Sequence, residues 1–438
     1  MISKKDVFLY AAFTLTCVED RAWSFFVTIV LESIGGMYFV SIGQFSESLL
    51  QMMFGGVLGQ FIDWISRKNA IIMVTHFNNF SILVATFIFL KGSPPSGSLL
   101  LYLLIFLCAI NRLFLNAEKS IISRDWIVAI NHESALARQN ATLTGFDQLL
   151  NVLSPVVVGT LITSFGIHQT LIIFAIGSMV SLILKSTFLY FTYTSNPCLQ
   201  TRRNHKYYKI VSGSDSDLPL LEESGQNLKP PGVFSTYYRQ TTFCASLGMA
   251  LFYKTVMGFD NLAVGYATTS SNLSIFTIGA LKSYGAVAGM AGVISYAFLE
   301  TKFGLIRAGY VGLVVQQVFS LLAVTTIWMP GSPFLGRDII SDGPSISVFL
   351  VAIASSRFGL WCLDMAVTHS MQLHVPESEI NTVFGFHMAL CQTFSVPKEM
   401  LVIVFPEPSH FALYILSSYF CVTLGQYFFY LYARKVKE

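Results

Sequence analysis

The sequence predicts an all-α membrane protein in which twelve transmembrane helices form two bundles of six. Three observations predict this class. Hydrophobic residues make up 53% of the 438-residue chain and charged residues only 12%, whereas a soluble domain carries roughly a quarter charged residues. Apolar stretches of about 20 residues, the length that crosses a bilayer as a helix, recur along the chain. One long polar interval divides these stretches into two equal groups.

The apolar stretches contain Gly, Ser and Thr throughout, which favours close packing of helices in lipid. Because Lys4 and Lys5 lead directly into a full-length apolar stretch, we expect no cleavable signal peptide. The predicted spans are 7–32, 38–62, 69–92, 99–128, 140–165, 168–194, 240–268, 273–299, 306–329, 346–373, 380–404 and 408–433.

Basic residues between the spans are distributed asymmetrically. The loops that alternate with the N-terminal side carry little beyond Lys91 and Arg337. Because basic segments are retained in the cytosol, this bias predicts that both termini are cytosolic. The predicted cytosolic segments contain Lys4, Lys5, Arg67, Lys68, Arg138, Arg202, Arg203, Lys206, Lys209, Lys302, Arg307, Arg434, Lys435 and Lys437.

The polar interval at 195–239 predicts a disordered cytosolic linker between an N-terminal bundle (1–194) and a C-terminal bundle (240–438). The two halves are weakly similar to each other. The acid of VEDRAW is followed by FID 43 residues later, and the acid of GFDN is followed by FLE 40 residues later. Parallel repeats of this kind are typical of the major facilitator architecture, although a hydrophobic chain also yields chance matches at this level.

The segment 59–68 (GQFIDWISRK) resembles the facilitator-superfamily signature between the second and third spans. Its glycine allows close approach of helices, and Asp63 can cap a neighbouring helix or pair with Arg67. We therefore predict a gate that closes the cytosolic side in one conformation. The alternative is a charged helix end that merely obeys the topology rule.

Two carboxylates lie at corresponding depths in the two halves, Asp20 in the first predicted span and Asp260 in the seventh. A buried intramembrane acid usually faces a water-filled path or a cation, so the pair predicts a cation site between the repeats. Ser24 shares a helix face with Asp20, and Asn261 follows Asp260. We expect Asp20 to be unpaired and to face a wet passage. The alternatives are a structural ion pair at Asp20 and a kink with a capped acid at Asp260.

Lys185 and Lys398 lie within predicted spans, where a lysine must pair with an acid or lose its proton. Each is a candidate built-in cation that holds a site otherwise requiring a metal. For Lys398 the alternative is a local polar break after Pro397. Asn78 and Asn79 give the third span a polar face.

Several segments together resemble the ferroportins, iron-exporting solute carriers of the major facilitator superfamily, and the chain resembles an invertebrate-like member. The resemblance covers nearly all of the chain outside the linker. The segments that carry it are EDRAW (19–23), SRDWIVAI (123–130), NATLTGFDQLLNVLSP (140–155), GFDNLAVGYA (258–267), KFGLIRAG (302–309), WMPGSP (328–333), SRFGLWCLDMAVT (356–368) and FPEP (405–408).

The resemblance implies export of Fe(II) and related divalent metals from the cytosol by alternating access with proton antiport. Asp20 matches a metal-site aspartate of the family, and Ser24 replaces a metal-site histidine. In the second half, Asn261 replaces a cysteine that serves as metal ligand and hepcidin docking point, and Lys398 replaces a histidine. A soft ligand set thus becomes a harder one. We therefore expect no thiol-dependent hepcidin control.

The resemblance also assigns two further groups of residues. Lys185 replaces a glutamate of a regulatory calcium site in vertebrate members, so we hypothesise that its ammonium replaces the ion and makes activity independent of calcium. Thr144 replaces a gate arginine. The remaining positions of the cation site are Asn78, Asn79 and Ser178, and the gate positions are Asp63, Arg67, Asp125, Asn140, Asp147, Gln148 and Asn151.

The leading hypothesis is an exporter of divalent iron with Asp20 as first ligand. One alternative is a facilitator of organic cations that uses Asp20 as counter-ion. An alternative of another class is a receptor or scaffold with DLPLL (217–221) as an adaptor-binding motif. The sequence contains no nucleophile–base motif or zinc signature, so we expect no enzyme.

For partners, the hypothesis implies membrane lipid and a divalent metal ion, with no permanently bound cofactor and no nucleic acid. Fe(II) is the transported ion. We expect a monomer in the plasma membrane, with an endosomal membrane as the alternative location. Asn272 begins an Asn-Leu-Ser sequon in a short outward loop and is a candidate glycosylation site.

Overall fold

The computed structural model describes residues 4–91, 98–131, 133–200, 232–258, 263, 267, 273, 275–330, 332, 334, 344–404 and 410–436. Within these ranges the regular secondary structure is helical, which confirms the predicted all-α class. Most of the predicted linker (195–239) lies outside the described residues, as do Asp260, Asn261 and Asn272.

Five α-helices form the first half of the structure: α1 (Lys4–Trp64), α2 (Arg67–Leu90), α3 (Leu99–Ser120), α4 (Ile127–Ile130) and α5 (Glu133–Ser195). A π-helical turn, Ile121–Trp126, joins α3 to α4. Serine hydroxyls define where two of the helices begin. Ser66 accepts a hydrogen bond from the backbone of Asn69 at the start of α2, and Ser98 does the same for Leu101 at the start of α3.

The second half follows in the same style. Its α-helices are α6 (Val233–Tyr238), α7 (Phe243–Leu251), α8 (Ile275–Phe303), α9 (Leu305–Thr325), α10 (Ser345–His374), α11 (Ile380–Val404) and α12 (Phe411–Lys435). Short 3₁₀ turns cover Pro197–Leu199, Phe252–Lys254 and Thr326–Trp328.

The two longest helices, α1 and α5, both reverse direction. A side-chain carbon placed on Gly43 would lie 3.1 Å from Leu31 Cδ1, whereas twelve residues of straight helix span about 18 Å. The chain of α1 therefore turns back between these two residues. In α5 the reversal occurs at Gly166, whose backbone (φ 76°, ψ 169°) a residue with a Cβ rarely adopts.

Six helical segments among the described residues are long and apolar enough to cross a membrane. The prediction of twelve spans is therefore not confirmed at that count. Charge explains part of the difference, because α1 contains both of the first two predicted spans and carries Glu19, Asp20 and Arg21 in its first arm. The six segments are Arg67–Leu90, Leu99–Ile130, Ala135–Ser195, Leu305–Trp328, Ser345–His374 and Phe411–Lys435.

The two halves meet where α1 crosses α11 without room for side chains. A Cβ on Gly59 would lie 2.8 Å from the carbonyl carbon of Asn381, and a Cβ on Gly55 would lie 3.0 Å from the carbonyl oxygen of Gly385. The separation at Gly59 is shorter than real Cβ contacts, so only glycine fits there, and the separation at Gly55 is tighter than most of them. Glycine at these positions thus allows the backbones of α1 and α11 to approach closely at this end of the molecule.

We expect Gly59→Ala to destabilise the protein by about 1–3 kcal/mol, because the added methyl group overlaps the backbone of α11 and forces the helices apart. Thermal unfolding of the purified protein in detergent measures the effect. Gly145→Ala in α5 is the matched control, since nothing lies within 4 Å of a Cβ at that position. Equal melting temperatures of the two variants would show that the crossing is not tightly packed.

Candidate functional site

A cavity of about 390 Å³ lies between the two halves, beyond the crossing of α1 and α11. The first half supplies most of its wall, and α10, α11 and Tyr253 supply the rest. Eight charged side chains line this wall, which is unusual for an apolar helical bundle. They are Asp20, Arg21, Glu47, Arg112, Lys119, Arg124, Asp147 and Asp364.

Asp20 lies in this wall but is fully paired. Its side chain is 2% exposed, and its carboxylate accepts hydrogen bonds from the Arg112 guanidinium and, at 2.9 Å, from Lys119 Nζ. The expectation of an unpaired carboxylate is therefore wrong. Arg112 and Lys119 lie seven residues apart on α3, two helical turns, so both point at the first arm of α1.

Asp147 belongs to the same group of charges. Its carboxylate lies 2.5 Å from Arg21 Nη2 and 2.6 Å from Lys119 Nζ. The second arm of α1 adds Glu47, 3.9 Å from Arg112 Nε. We call these side chains the central charge cluster. Its three acids and three bases cancel formally, and its members are Asp20, Arg21, Glu47, Arg112, Lys119 and Asp147.

A second buried cluster surrounds Lys185 on α5. The Lys185 ammonium lies 2.5 Å from Glu19 Oε2 and 3.1 Å from Glu118 Oε1, and its side chain is 0% exposed. Asn78 donates to Glu118 at 2.8 Å and Thr16 donates at 3.0 Å. This arrangement, which we call the Lys185 cluster, satisfies a buried lysine with two carboxylates.

Among the predicted cation-site positions, Asn78 joins this cluster through Glu118, and Ser178 and Asn79 contact each other. Ser178 donates to Asn79 Oδ1 at 3.0 Å, and Asn79 directly follows Asn78 in the chain. Sequence reasoning missed Glu19 and Glu118 as the acidic partners. A signal was present, because Glu118 and Lys119 are consecutive charges at the end of an apolar helix, and each reaches a different cluster.

A third set of contacts joins the halves beside Gly59. Arg67 lies 2.7 Å from Asp125 Oδ1 and 3.1 Å from Glu377 Oε2 in the second half. Asp63 accepts hydrogen bonds of 2.7 Å from both the backbone and the hydroxyl of Thr382. We call these contacts the interhalf lock. Two amide side chains complete it. Asn381 donates to Asp63 and Asp125, and Gln372 donates to Asn140 at 3.1 Å.

The sequence identified the first-half members of the lock but not their partners. Three of those partners, Glu377, Asn381 and Thr382, lie in the polar segment PESEINT (376–382) on the predicted cytosolic side, which could have been recognised. The fourth, Gln372, lies near the end of α10.

Three other predicted gate residues do not join the lock by the hydrogen bonds of the described structure. Asp147 belongs instead to the central charge cluster. Gln148 is buried with its Oε1 unpaired, and Asn151 is exposed.

The remaining predicted ligand positions are dispersed. Ser24 accepts a 3.4 Å hydrogen bond from Arg112, beside Asp20. Lys398 is half-buried and lines a separate cavity of about 200 Å³. Among the described residues no group of three or more His, Cys, Asp or Glu side chains is arranged to hold a metal ion.

The fold has close relatives among solved transporters. A bacterial homologue of the iron transporter ferroportin in an outward-facing state superposes with a TM-score of 0.81 at 20% identity, covering 99% of this chain and all of that one. The inward-facing state of a bacterial homologue gives 0.61 at 19% identity, covering 98% of each chain. The Escherichia coli fucose:proton symporter gives 0.64 at 12% identity, covering 97% of this chain and 98% of that one. The chain therefore has the fold of the major facilitator transporters.

Sequence comparison narrows this class to one family. The family model described as Ferroportin1 (FPN1) matches residues 3–422. The chain belongs to the ferroportin family. Human ferroportin is 26% identical, with 97% of this chain and 90% of that protein aligned. Solute carrier family 40 member 1 of Danio rerio is 25% identical, with 98% of this chain and 91% of that protein aligned. The protein of the same name in Arabidopsis thaliana is 23% identical, with 99% of this chain and 88% of that protein aligned.

We expect Lys185→Met to cost about 3–5 kcal/mol of stability, because it leaves Glu19 and Glu118 buried without their cation. Thermal unfolding of the purified protein measures the loss, with the exposed Lys435→Met as control. Adding Glu118→Gln to Lys185→Met removes one stranded carboxylate and restores part of the stability. If Lys185→Met alone were as stable as the wild type, the result would contradict the ion-pair assignment.

Proposed function

We propose that this protein exports divalent iron from the cytosol by alternating access between two six-helix bundles. The observation that carries the proposal is the set of carboxylates that line a cavity between two halves, which the interhalf lock joins at one end. Membership of the ferroportin family supports iron as the transported ion. The same proposal places both termini and the interhalf lock on the cytosolic side of the plasma membrane.

In this proposal the transported ion binds in the central charge cluster. The carboxylates of Asp20, Glu47 and Asp147 and the hydroxyl of Ser24 form an oxygen-rich set near the cavity. Hard and borderline divalent cations accept such ligands. Asn261 and Lys398 are the proposed second-half contribution, and Asp260 is its carboxylate.

The pairing of Asp20 suggests how the ion is released. A divalent ion that binds Asp20 must displace the charged groups of Lys119 and Arg112, which lie at the ends of long, flexible side chains. When the lock closes the cytosolic end, these two cations return to Asp20 and compete with the ion. Two tethered positive charges thus replace one divalent ion, so the acids never remain unneutralised in the membrane.

Lys185 holds the analogous position in a site that does not exchange. We propose that its ammonium permanently replaces a regulatory cation. The support is that the Lys185 side chain is completely buried between the carboxylates of Glu19 and Glu118. The Asn78 amide donates a hydrogen bond to Glu118. Transport activity then needs no external calcium, and hepcidin control is not expected because position 261 is asparagine.

The experiment that tests the function is efflux of radioactive iron from loaded cells, normalised to the amount of protein at the surface. We expect Asp20→Ala to lower the initial rate by at least about tenfold, since a hydrogen-bonded charge contributes more than the ~1.4 kcal/mol that a tenfold change requires. Glu300→Gln is the control, because it removes an acid outside the central charge cluster, the Lys185 cluster and the interhalf lock. Unchanged iron efflux in Asp20→Ala, or efflux of an organic cation instead of iron, would refute the proposal.

Asp125→Ala should reduce iron export severalfold, because Arg67 loses its closest partner while remaining 2% exposed. The cytosolic end then no longer stays closed. Asn151→Ala is the matched control, since Asn151 is exposed and makes no lock contact in the described structure. Wild-type export by the Asp125 variant would remove the gate role from the lock.

Iron efflux by the wild type should not change when external calcium is varied between chelated and millimolar levels. Lys185→Gln, if it folds, should lose activity at low calcium, because Glu19 and Glu118 then lack a cation. Addition of calcium tests whether the emptied position accepts the ion. Strong activation of the wild-type protein by calcium would exclude the permanent-cation role of Lys185.

A further inference from the structure

The wall that the second half contributes to the central cavity differs from the first-half wall. It carries one carboxylate, Asp364 on α10, with the hydroxyl of Thr368 one helical turn further on and the amide of Gln392 on α11. Because residues four apart share a helix face, Asp364 and Thr368 reach the cavity together. The central charge cluster belongs to the first half, and the interhalf lock uses none of these three side chains.

These three polar side chains lack partners in the part of the chain that the structure describes. None of them makes a side-chain hydrogen bond or an ion pair there. Unlike the partnerless Oε1 of Gln148, their polar atoms are not buried away from the cavity, so an occupant can reach them. The first-half acids are different, because the Lys119 ammonium already contacts both Asp20 and Asp147. The second half thus presents accessible oxygen atoms that no base contacts.

Two bases lie near Asp364 without binding its oxygen atoms. Arg124 faces it from the first half, and its charge acts on Asp364 without an ion pair between them. The Arg124 guanidinium lies instead over the Phe384 ring, 4.4 Å from the centroid, in a cation–π contact. Lys398 lines the adjoining cavity of about 200 Å³, whose wall also includes Asp364. In the described structure neither base occupies this carboxylate.

We propose that Asp364, Thr368 and Gln392 are second-half ligands of the transported divalent ion, an inference that rests on the export function proposed above. A carboxylate, a hydroxyl and an amide oxygen are ligands that hard and borderline divalent cations accept. The cavity of about 390 Å³ leaves room for water molecules to complete the shell. This set is separate from the predicted position at Asp260 and Asn261, which lies outside the described residues.

The set also has a place in the transport cycle. While the interhalf lock is closed, the bases of the central charge cluster contact its acids, so the ion is displaced from the first-half wall. The second-half wall, where no base competes by contact, then holds the ion. Asp364 is thus the last carboxylate that the ion contacts before it leaves the protein.

Trp361 provides a spectroscopic test, because it lies three residues before Asp364 on α10 and lines the same cavity. The purified full-length protein is titrated with Co(II), a divalent transition metal that quenches tryptophan fluorescence at short range. Subtracting the signal of Trp361→Phe isolates Trp361 from the other four tryptophans. We expect saturable quenching of Trp361 in the wild type, and an apparent Co(II) affinity at least about tenfold weaker in Asp364→Asn.

Further variants make the test specific. Glu300→Gln, which removes an acid outside the cavity, should leave the Co(II) affinity unchanged. Thr368→Val and Gln392→Leu each remove one neutral ligand and should weaken it severalfold, which keeps the test decisive even if Asp364→Asn fails to fold.

Two results would overturn the ligand set. One is the absence of saturable Trp361 quenching in the wild type. The other is an unchanged Co(II) affinity in Asp364→Asn or, where that variant does not fold, in both Thr368→Val and Gln392→Leu. Iron efflux by the wild type is measured separately. Its absence would refute the export function, whereas efflux combined with unchanged Co(II) affinity in the variants would refute only the ligand set.

Discussion

The structure of the first half depends on neutralising acids that are buried among apolar helices. Glu19 and Asp20 are consecutive on α1, so their side chains diverge by about 100° and enter two different clusters. Glu118 and Lys119 on α3 diverge in the same way. Each cluster therefore contains one residue from each pair, and Lys119 and Lys185 each serve two carboxylates. These shared cations fix how α1, α3 and α5 face one another.

The interhalf lock differs from these clusters in kind. Apart from the Arg67–Asp125 pair, its contacts join different halves, and they lie beside the glycine crossing that brings α1 against α11. In the proposed alternating access, ion pairs within one half would persist, whereas contacts between the halves would break. The first half is held by internal ion pairs, and the described lock joins the halves through hydrogen bonds and the Arg67–Glu377 ion pair.

Much of the fold followed from composition, since long apolar stretches leave only a helical membrane protein as the solution. The lock residues Asp63 and Arg67 were predictable because they lie in a compact local motif. The partners of Asp20 were not, because Arg112 and Lys119 lie about 92 and 99 residues away and their approach depends on the rotation of α3. Local spacing specifies a helix face, but not which face of another helix it meets. The roles of Asp260 and Asn261 stay predictions.

Lys119 neutralises two acids at once, and this sharing restricts how the protein can change over evolutionary time. Replacing that lysine alone leaves the central charge cluster with one more acid than base, although Asp20 keeps Arg112 and Asp147 keeps Arg21. Descendant chains would need compensating exchanges in which acids disappear together with their base, or a new base arises first. Related chains should therefore differ at several positions of the central charge cluster together. The net charge of this cluster should be conserved while its individual residues change.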